Sequence, residues 1–356
     1  MDLTRRPRKR ALFIGINYVG QSAELSGCVN DVVDMRALLA GANYTETRVL
    51  YDGRWSGPFL GELNDTAPTR ANMTSAFRWL VAGAGVGDQL FLHYSGHGSQ
   101  LRSQMFQEAD GLDEVIVPVD YETAGMIRDD ELRALLVTPL RGTGAALRAV
   151  LDCCHSGTGI DLRYNLGFTA DGEAARGTRA VHGGTRAGTI AAGAAIGAAA
   201  DISSVVARLT ADAVRAELAR WFGADAAAGA VAAYGAGTAA EPFLEWTGDG
   251  DSAIVHEPGT VERRGVQPGA GTPDILVLSG CADDQTSADA TFSRRANGAL
   301  TYHVLADLRT AVASGVWPPV TTLLRGLRRR IRAAGFDQVP QISSEVPIGG
   351  TTCFSL

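Results

Sequence analysis

Short apolar runs bounded by turn residues alternate along this chain with stretches whose apolar residues recur at helical spacing, and that alternation leaves few folds open. Leu12–Asn17, Thr47–Tyr51, Gln89–Tyr94, Val115–Val119, Leu147–Leu151, Asp274–Ser279 and Val339–Ser343 read as strands. Between them, Asn30–Leu39, Thr69–Val81, Asp129–Leu136, Ala299–Val312 and Val320–Ala334 read as helices. Runs as apolar as Leu90-Phe91-Leu92 suit strands buried on both faces, and such strands alternating with helices predict an α/β fold. The expected architecture is a mainly parallel central sheet flanked by helices on both faces.

The alternation breaks after Asp161. From about Arg163 to Ala270 the chain is rich in Gly, Ala, Thr and Arg, with one helical pattern at Ile202–Phe222. The expected organisation is a short basic leader (1–10), a large catalytic region (11–162), an insertion (163–271) and a smaller α/β region (272–356). At 356 residues the chain is long enough for this. Apolar residues make up 46% and charged residues 20%, which is globular rather than disordered composition. A net charge of −7 argues against a general nucleic-acid binder. Five cysteines, two of them adjacent, do not make a disulfide scaffold and suit a reducing, cytoplasmic compartment. Arg5 to Arg10 followed by Ala11–Ile16 imitates a signal peptide, but the apolar run is short and no clean cleavage site follows. The Ala- and Gly-rich stretch Ala187–Ala200 lacks the large apolar residues of a membrane span, so no membrane association is expected.

Two of the buried strands run into reactive residues. Leu90 to Tyr94 leads into Ser95-Gly96-His97-Gly98-Ser99, and Leu147 to Leu151 into Asp152-Cys153-Cys154-His155-Ser156-Gly157. In parallel α/β sheets ligands bind beyond the carboxyl ends of strands, so two such ends can bring a His and a Cys together. That pair is what thiol acyl transfer needs: a thiolate to attack a carbonyl and an imidazole to move protons. Glycines on both sides of His97 would let the backbone come close to a substrate. The amides of Gly98 and Cys154 are the candidate oxyanion donors. A metal site around Cys153-Cys154-His155 is the alternative, but no second CxxC or HxxxH follows at zinc spacing. Cys153 reads as a small core residue, and His93 and His155 as structural.

His93-Tyr94-Ser95-Gly96-His97-Gly98-Ser99 and Asp152-Cys153-Cys154-His155-Ser156-Gly157 resemble the two catalytic motifs of metacaspases, caspase-like cysteine peptidases. Ala11–Asn17 with Leu25–Asp31, the acidic stretch Asp110–Asp120, and Ser279–Asp289 resemble further segments of the same family in the same order. The resemblance spans about residues 10–162 and 272–356. It implies a caspase-like fold, with Cys154 as nucleophile and His97 as catalytic imidazole. It also implies cleavage after Arg or Lys in an acidic S1 site made by Asp31, Ser95 and Asp152. A carboxylate pair suits a guanidinium, which it grips through bidentate hydrogen bonds; a helix-capping or loop-bracing role is the alternative for Asp152. Asp113, Asp129, Asp130 and Asp161 match the family's calcium ligands, and hard carboxylate oxygens are the donors calcium prefers.

The resemblance further implies a monomer acting on proteins or peptides with Arg or Lys at P1, made as a zymogen. Self-cleavage is expected between Arg163 and Arg186, in a stretch that reads as exposed and holds Arg163, Arg176, Arg179 and Arg186. Only about ten residues precede the first strand, so no long prodomain is expected. Two rivals stand beside this reading: a cysteine hydrolase of the same fold with another P1 preference, and an inactive caspase-like module that acts by protein binding.

Overall fold

The computed structural model describes residues 5–53, 67–102, 112–154, 160–166, 254–255, 260–262, 271–280, 289–292, 295–336 and 338–356. In chain order the elements are β1 (Lys9–Gly15), α1 (Cys28–Gly41), β2 (Glu46–Tyr51), α2 (Arg70–Val81), β3 (Gln89–Ser95), β4 (Gly98–Arg102), β5 (Leu112–Ile116), α3 (Tyr121–Ala124), β6 (Ile127–Arg128), α4 (Asp129–Leu132), β7 (Ala146–Asp152), β8 (Tyr164–Leu166), β9 (Ile254–Val255), β10 (Thr260–Glu262), β11 (Asp274–Ser279), β12 (Asp289–Phe292), β13 (Arg295–Gly298), α5 (Ala299–Ser314), α6 (Val320–Ala333) and β14 (Gln341–Ser344).

Among the described residues the central sheet runs β2-β1-β3-β7-β11-β14-β8-β10-β9. Its first five strands are parallel. From β14 onward the pairings are antiparallel. The expected α/β architecture is thus present, with an antiparallel half at one side. Period-two alternation sends Leu12 and Ile14 to one face of β1, and Ala11 and Phe13 to the other. The first pair packs with Met73, Phe77 and Leu80 of α2. The second packs with Val32 and Met35 of α1, Val304 and Leu308 of α5, and Leu324 and Leu327 of α6. Both faces are therefore covered, which is why the strands read as continuously apolar.

Several boundaries move. The first strand begins at Lys9, inside the expected leader, because Arg10 is buried and bonds Glu46 across β2. Arg5 and Arg8 are tied to the buried carboxylate of Asp88. The strand expected at Val115–Val119 is Leu112–Ile116. It lies in a small three-stranded sheet, β4-β5-β6, and Val117 leaves that ladder to donate its N–H to the His97 carbonyl (3.2 Å). The helix expected over Asp129–Leu136 is one α turn followed by a wider π turn at Arg133–Val137. A short 3-10 turn with a proline at its start follows it. The segment 163–271 is not wholly outside the core fold, since β8, β9 and β10 at its two ends join the central sheet. The helix expected at 202–222 lies outside the described residues.

Candidate active site

The order β2-β1-β3 means that the chain leaves β1 toward opposite sides for β2 and β3, and the crevice at such a reversal is where α/β folds bind ligands. The His97 motif leaves β3 at that crevice, and the Cys154 motif leaves β7, the next strand of the sheet. β3 and β7 are neighbours in register, Ser95 opposite Asp152. His97 and Cys154, each two residues further on, lie on abutting loops. A methyl group on Gly98 would overlap the carbonyl oxygen of Cys154 and stand 3.3 Å from Cys153 Cβ. The glycines flanking His97 were expected to make room for substrate; they make room for the protein itself. Gly98 admits the Cys154 backbone, and a side chain at Gly96 would stand 2.8 Å from the Tyr94 hydroxyl and 3.2 Å from that of Tyr18.

The imidazole of His97 has a defined partner. Its Nε2 lies 2.7 Å from the carbonyl oxygen of Ala23, on the loop between β1 and α1. A carbonyl can only accept, so Nε2 carries a proton, and in the neutral ring it is Nδ1 that holds the lone pair. Cys154 is half-buried, whereas Cys153 is packed into the core. His93, one strand residue before Tyr94, is fully buried, its Nε2 3.2 Å from the Thr301 hydroxyl. Burial lowers its pKa to about 3, so it is neutral in the fold. His155 lies outside the described residues.

Asp31, Ser95 and Asp152 are brought together. The Ser95 hydroxyl donates to Asp31 Oδ2 (2.8 Å), Asn297 Nδ2 donates to Oδ1 (2.8 Å), and the Gly298 amide bonds both oxygens (3.1 and 2.9 Å). Asp152 Oδ2 accepts the Thr301 amide (2.7 Å). Thr301 is the third residue of α5, whose own N-cap, Gly298, has no side chain to offer. Asp152 therefore caps that helix from across the sheet, in line with the attraction of a helix N-terminus for a carboxylate. A side chain on Gly298 would overlap an Asp152 oxygen and stand 2.8 Å from Asp31 Oδ2, so the two carboxyls flank one point. Burial first, and then the proximity of Asp152, hold the Asp31 pKa well above the usual 3.8. Asn297, Gly298, Thr301 and Ala23 carried no signal of their own in the sequence: Gly298 and Thr301 act through main-chain amides and Ala23 through a carbonyl, which any residue has, and Asn297 acts through a side-chain carboxamide that no motif marked.

These two shifts give a pH prediction. A carboxyl with a raised folded-state pKa holds its proton more tightly in the fold. Asp31's contribution to stability is thus lost as pH rises from about 3.8 through the raised value. His93 has the opposite sign: its contribution is present above 6.5 and lost as pH falls toward 3. The slopes oppose each other from about pH 4 up to the lower of 6.5 and the raised Asp31 value. Asp31→Asn removes one of them. Its unfolding free energy should rise with pH more steeply than that of the natural protein, by up to about 1.4 kcal/mol per pH unit. Urea unfolding at a series of pH values checks this, and parallel slopes for the two proteins would contradict it.

The four aspartates expected to bind calcium are not gathered into a cage. Asp113 is paired with Arg128. Asp129 Oδ1 accepts the amide of Asp130 at the start of α4 (2.8 Å). Asp161, at φ 47°, lies 4.0 Å from Arg133 Nε. Arg133 also bonds the buried Glu345 (2.9 Å). Among the described residues no three His, Cys, Asp or Glu side chains converge as an ion would require. The donor type suits calcium, and in this arrangement guanidinium groups stand beside Asp113 and Asp161.

A largely parallel α/β sheet that carries a cysteine and a histidine beyond adjacent strand ends defines the class, an α/β fold equipped for thiol acyl transfer. Residues 9–163 match the family of the metacaspase, peptidase C14 domain. Metacaspase-1 of Mycosarcoma maydis is 35% identical over 96% of this chain and 71% of its own length. Metacaspase-1A of Neurospora crassa is 35% identical over 96% of this chain and 63% of its own. Metacaspase-1B of Neosartorya fischeri is 34% identical over 96% and 70%. The chain belongs to the metacaspase family, and with it to the caspase-like cysteine peptidases. Among the described residues no helix is long and apolar enough to cross a membrane.

Proposed function

We propose that this chain is a cysteine endopeptidase that cuts proteins or peptides after Arg or Lys, with Cys154 as nucleophile and His97 as the proton-transfer group. The observation that carries the reading is the abutment of the His97-Gly98 and Cys153-Cys154 backbones at the crevice between β3 and β7. His97 Nδ1 takes the thiol proton as sulfur attacks the scissile carbonyl. The amides of Gly98 and Cys154 hold the oxyanion. The imidazolium then protonates the leaving amine, and water, deprotonated by the same nitrogen, releases the acyl group. The Ala23 carbonyl keeps the ring in the tautomer this needs and stabilises the imidazolium between the two steps.

The preference for a basic side chain is supported by Asp31 and Asp152. Two carboxyls flanking one point repel each other when ionised. The described hydrogen-bond donors to Asp31 are all neutral: a hydroxyl, a carboxamide and a backbone amide. A guanidinium or ammonium relieves that repulsion. Calcium activation is proposed on the donor chemistry of Asp113, Asp129, Asp130 and Asp161 alone, and no step above runs through an ion. The chain is proposed to act as a monomer. The test is hydrolysis of matched fluorogenic Arg, Lys and Asp peptides, with calcium and with chelator. Turnover of Arg and Lys peptides only, lost in chelator, is expected. Turnover of the Asp peptide removes the pocket assignment, and turnover indifferent to chelator removes calcium.

Self-processing between Arg163 and Arg186 is part of the same proposal, but Arg163 itself is a poor site. It lies between the buried Leu162 and Tyr164, at the entry to β8, with its Nε 3.3 Å from Glu345. Cutting there would require β8 to leave the sheet. Arg176, Arg179 and Arg186 lie outside the described residues. N-terminal sequencing of fragments is expected to find cuts at one or more of these three in active protein and none in Cys154→Ala. Fragments beginning at Tyr164 would contradict the exclusion of Arg163.

A further inference from the structure

We propose that Tyr18, on the loop that follows β1, is a positioning residue for the catalytic imidazole, packing its ring on His97 and holding the His97 main chain through its hydroxyl. The inference rests on the reading of His97 as the proton-transfer group. The two ring centroids are 4.5 Å apart and the planes inclined at 35°. The Tyr18 hydroxyl accepts the His97 amide (3.0 Å) and donates to the Val117 carbonyl (2.6 Å). Tyr94 completes the clamp: its hydroxyl donates to the His97 carbonyl (2.7 Å) and accepts the Val117 amide (3.2 Å). Two tyrosine hydroxyls thus satisfy both main-chain polar groups of the catalytic histidine and splice it to the end of β5.

Three further observations separate this from ordinary core packing. Tyr18 is held at φ 54°, a left-handed conformation that a bulky aromatic residue rarely adopts. Such strain persists where the surroundings over-determine it, and it collects at active sites. Gly96 has no side chain in the space that the two hydroxyls occupy. The loop that begins at Tyr18 also carries Ala23, whose carbonyl takes the proton on Nε2. That loop is pinned at both ends, by Asp52 to the amides of Asn17 and Val19 and by Asn17 Oδ1 to the amide of Cys28. One segment therefore fixes the ring's plane, its main chain and its tautomer. Burial keeps the Tyr18 hydroxyl protonated, so its donor role does not change with pH.

Tyr18→Phe keeps the ring and removes the hydroxyl. With active sites counted by titration with a thiol-directed inhibitor, kcat per site on an Arg peptide is expected to fall about tenfold with KM unchanged. The pH profile of Cys154 alkylation by iodoacetamide should shift, because the imidazole that paired with the thiol is less well placed. A merely structural hydroxyl would lower the melting temperature and leave both readouts alone. Unchanged kcat per site and an unchanged alkylation profile would overturn the proposal. If Tyr18→Phe does not fold, Tyr94→Phe decides by the same two readouts. His97→Ala is the control that separates the two claims: an inactive His97→Ala beside an unaltered Tyr18→Phe rejects only the role of Tyr18. Full turnover in His97→Ala rejects both.

Discussion

Cys154→Ala and His97→Ala are each expected to lower kcat/KM for an Arg peptide by about 10³-fold or more, with the fold intact. The size follows from what each residue supplies. Without the thiol no covalent intermediate forms. Without the imidazole neither the attacking thiol nor the leaving amine has a proton partner. Because the two act as one unit, the double variant should be hardly worse than either single one. Cys154 is half-buried and outside the packed core, so replacing its sulfur with hydrogen should shift the melting temperature by only a few degrees. Gly98→Ala is expected to match the dyad variants for a different reason: its new methyl group would overlap the Cys154 carbonyl and push the two loops apart. Substantial peptide turnover in Cys154→Ala would move the protein to the class of non-catalytic caspase-like modules.

Asp152→Asn should lower kcat/KM for Arg peptides by about 10² to 10³-fold, mostly through KM, while the rate of Cys154 alkylation stays as it was. The amide is the informative replacement. Asn retains an oxygen to accept the Thr301 amide, so α5 keeps its cap and only the charge is lost. Asp152→Ala would mix the two effects. Asp31→Asn should have a comparable effect on Arg peptides, with an added structural cost. Its three described donor groups, from Ser95, Asn297 and Gly298, all need an acceptor, and a carboxamide offers one oxygen where the carboxylate has two. An Arg-peptide KM unmoved by Asp152→Asn would show that these carboxyls brace β13 and α5 against the sheet without touching substrate.

Much of this arrangement was legible in the residues. Strands β3 and β7 were visible because burial on both faces leaves an unbroken apolar run, and their carboxyl ends were marked by the Gly-flanked His97 and by the Cys153-Cys154 pair. Helix α2 was bounded almost to the residue, since Thr69 accepts the amide of Asn72 as an N-cap. Other features were not legible. β8 to β10 are two or three residues long and take their stability from the edge they join rather than from any pattern of their own. Gly96 and Gly98 were visible as glycines, but not what fills the space they leave.

By itself the sequence determined that a parallel sheet would form and that His97 and Cys154 would stand at the ends of two of its strands, because hydrophobic period and strand termini are local properties. Only the tertiary structure decided that those strands are neighbours in register, and that Asp31 meets Asn297 across 266 residues. It also decided that Asp152 caps a helix from the far part of the chain, and that Tyr18 lies on the ring of His97. Such contacts are set by the order of strands in the sheet and by the path of the connecting loops. Main-chain amides and carbonyls, which carry no residue identity, make half of them.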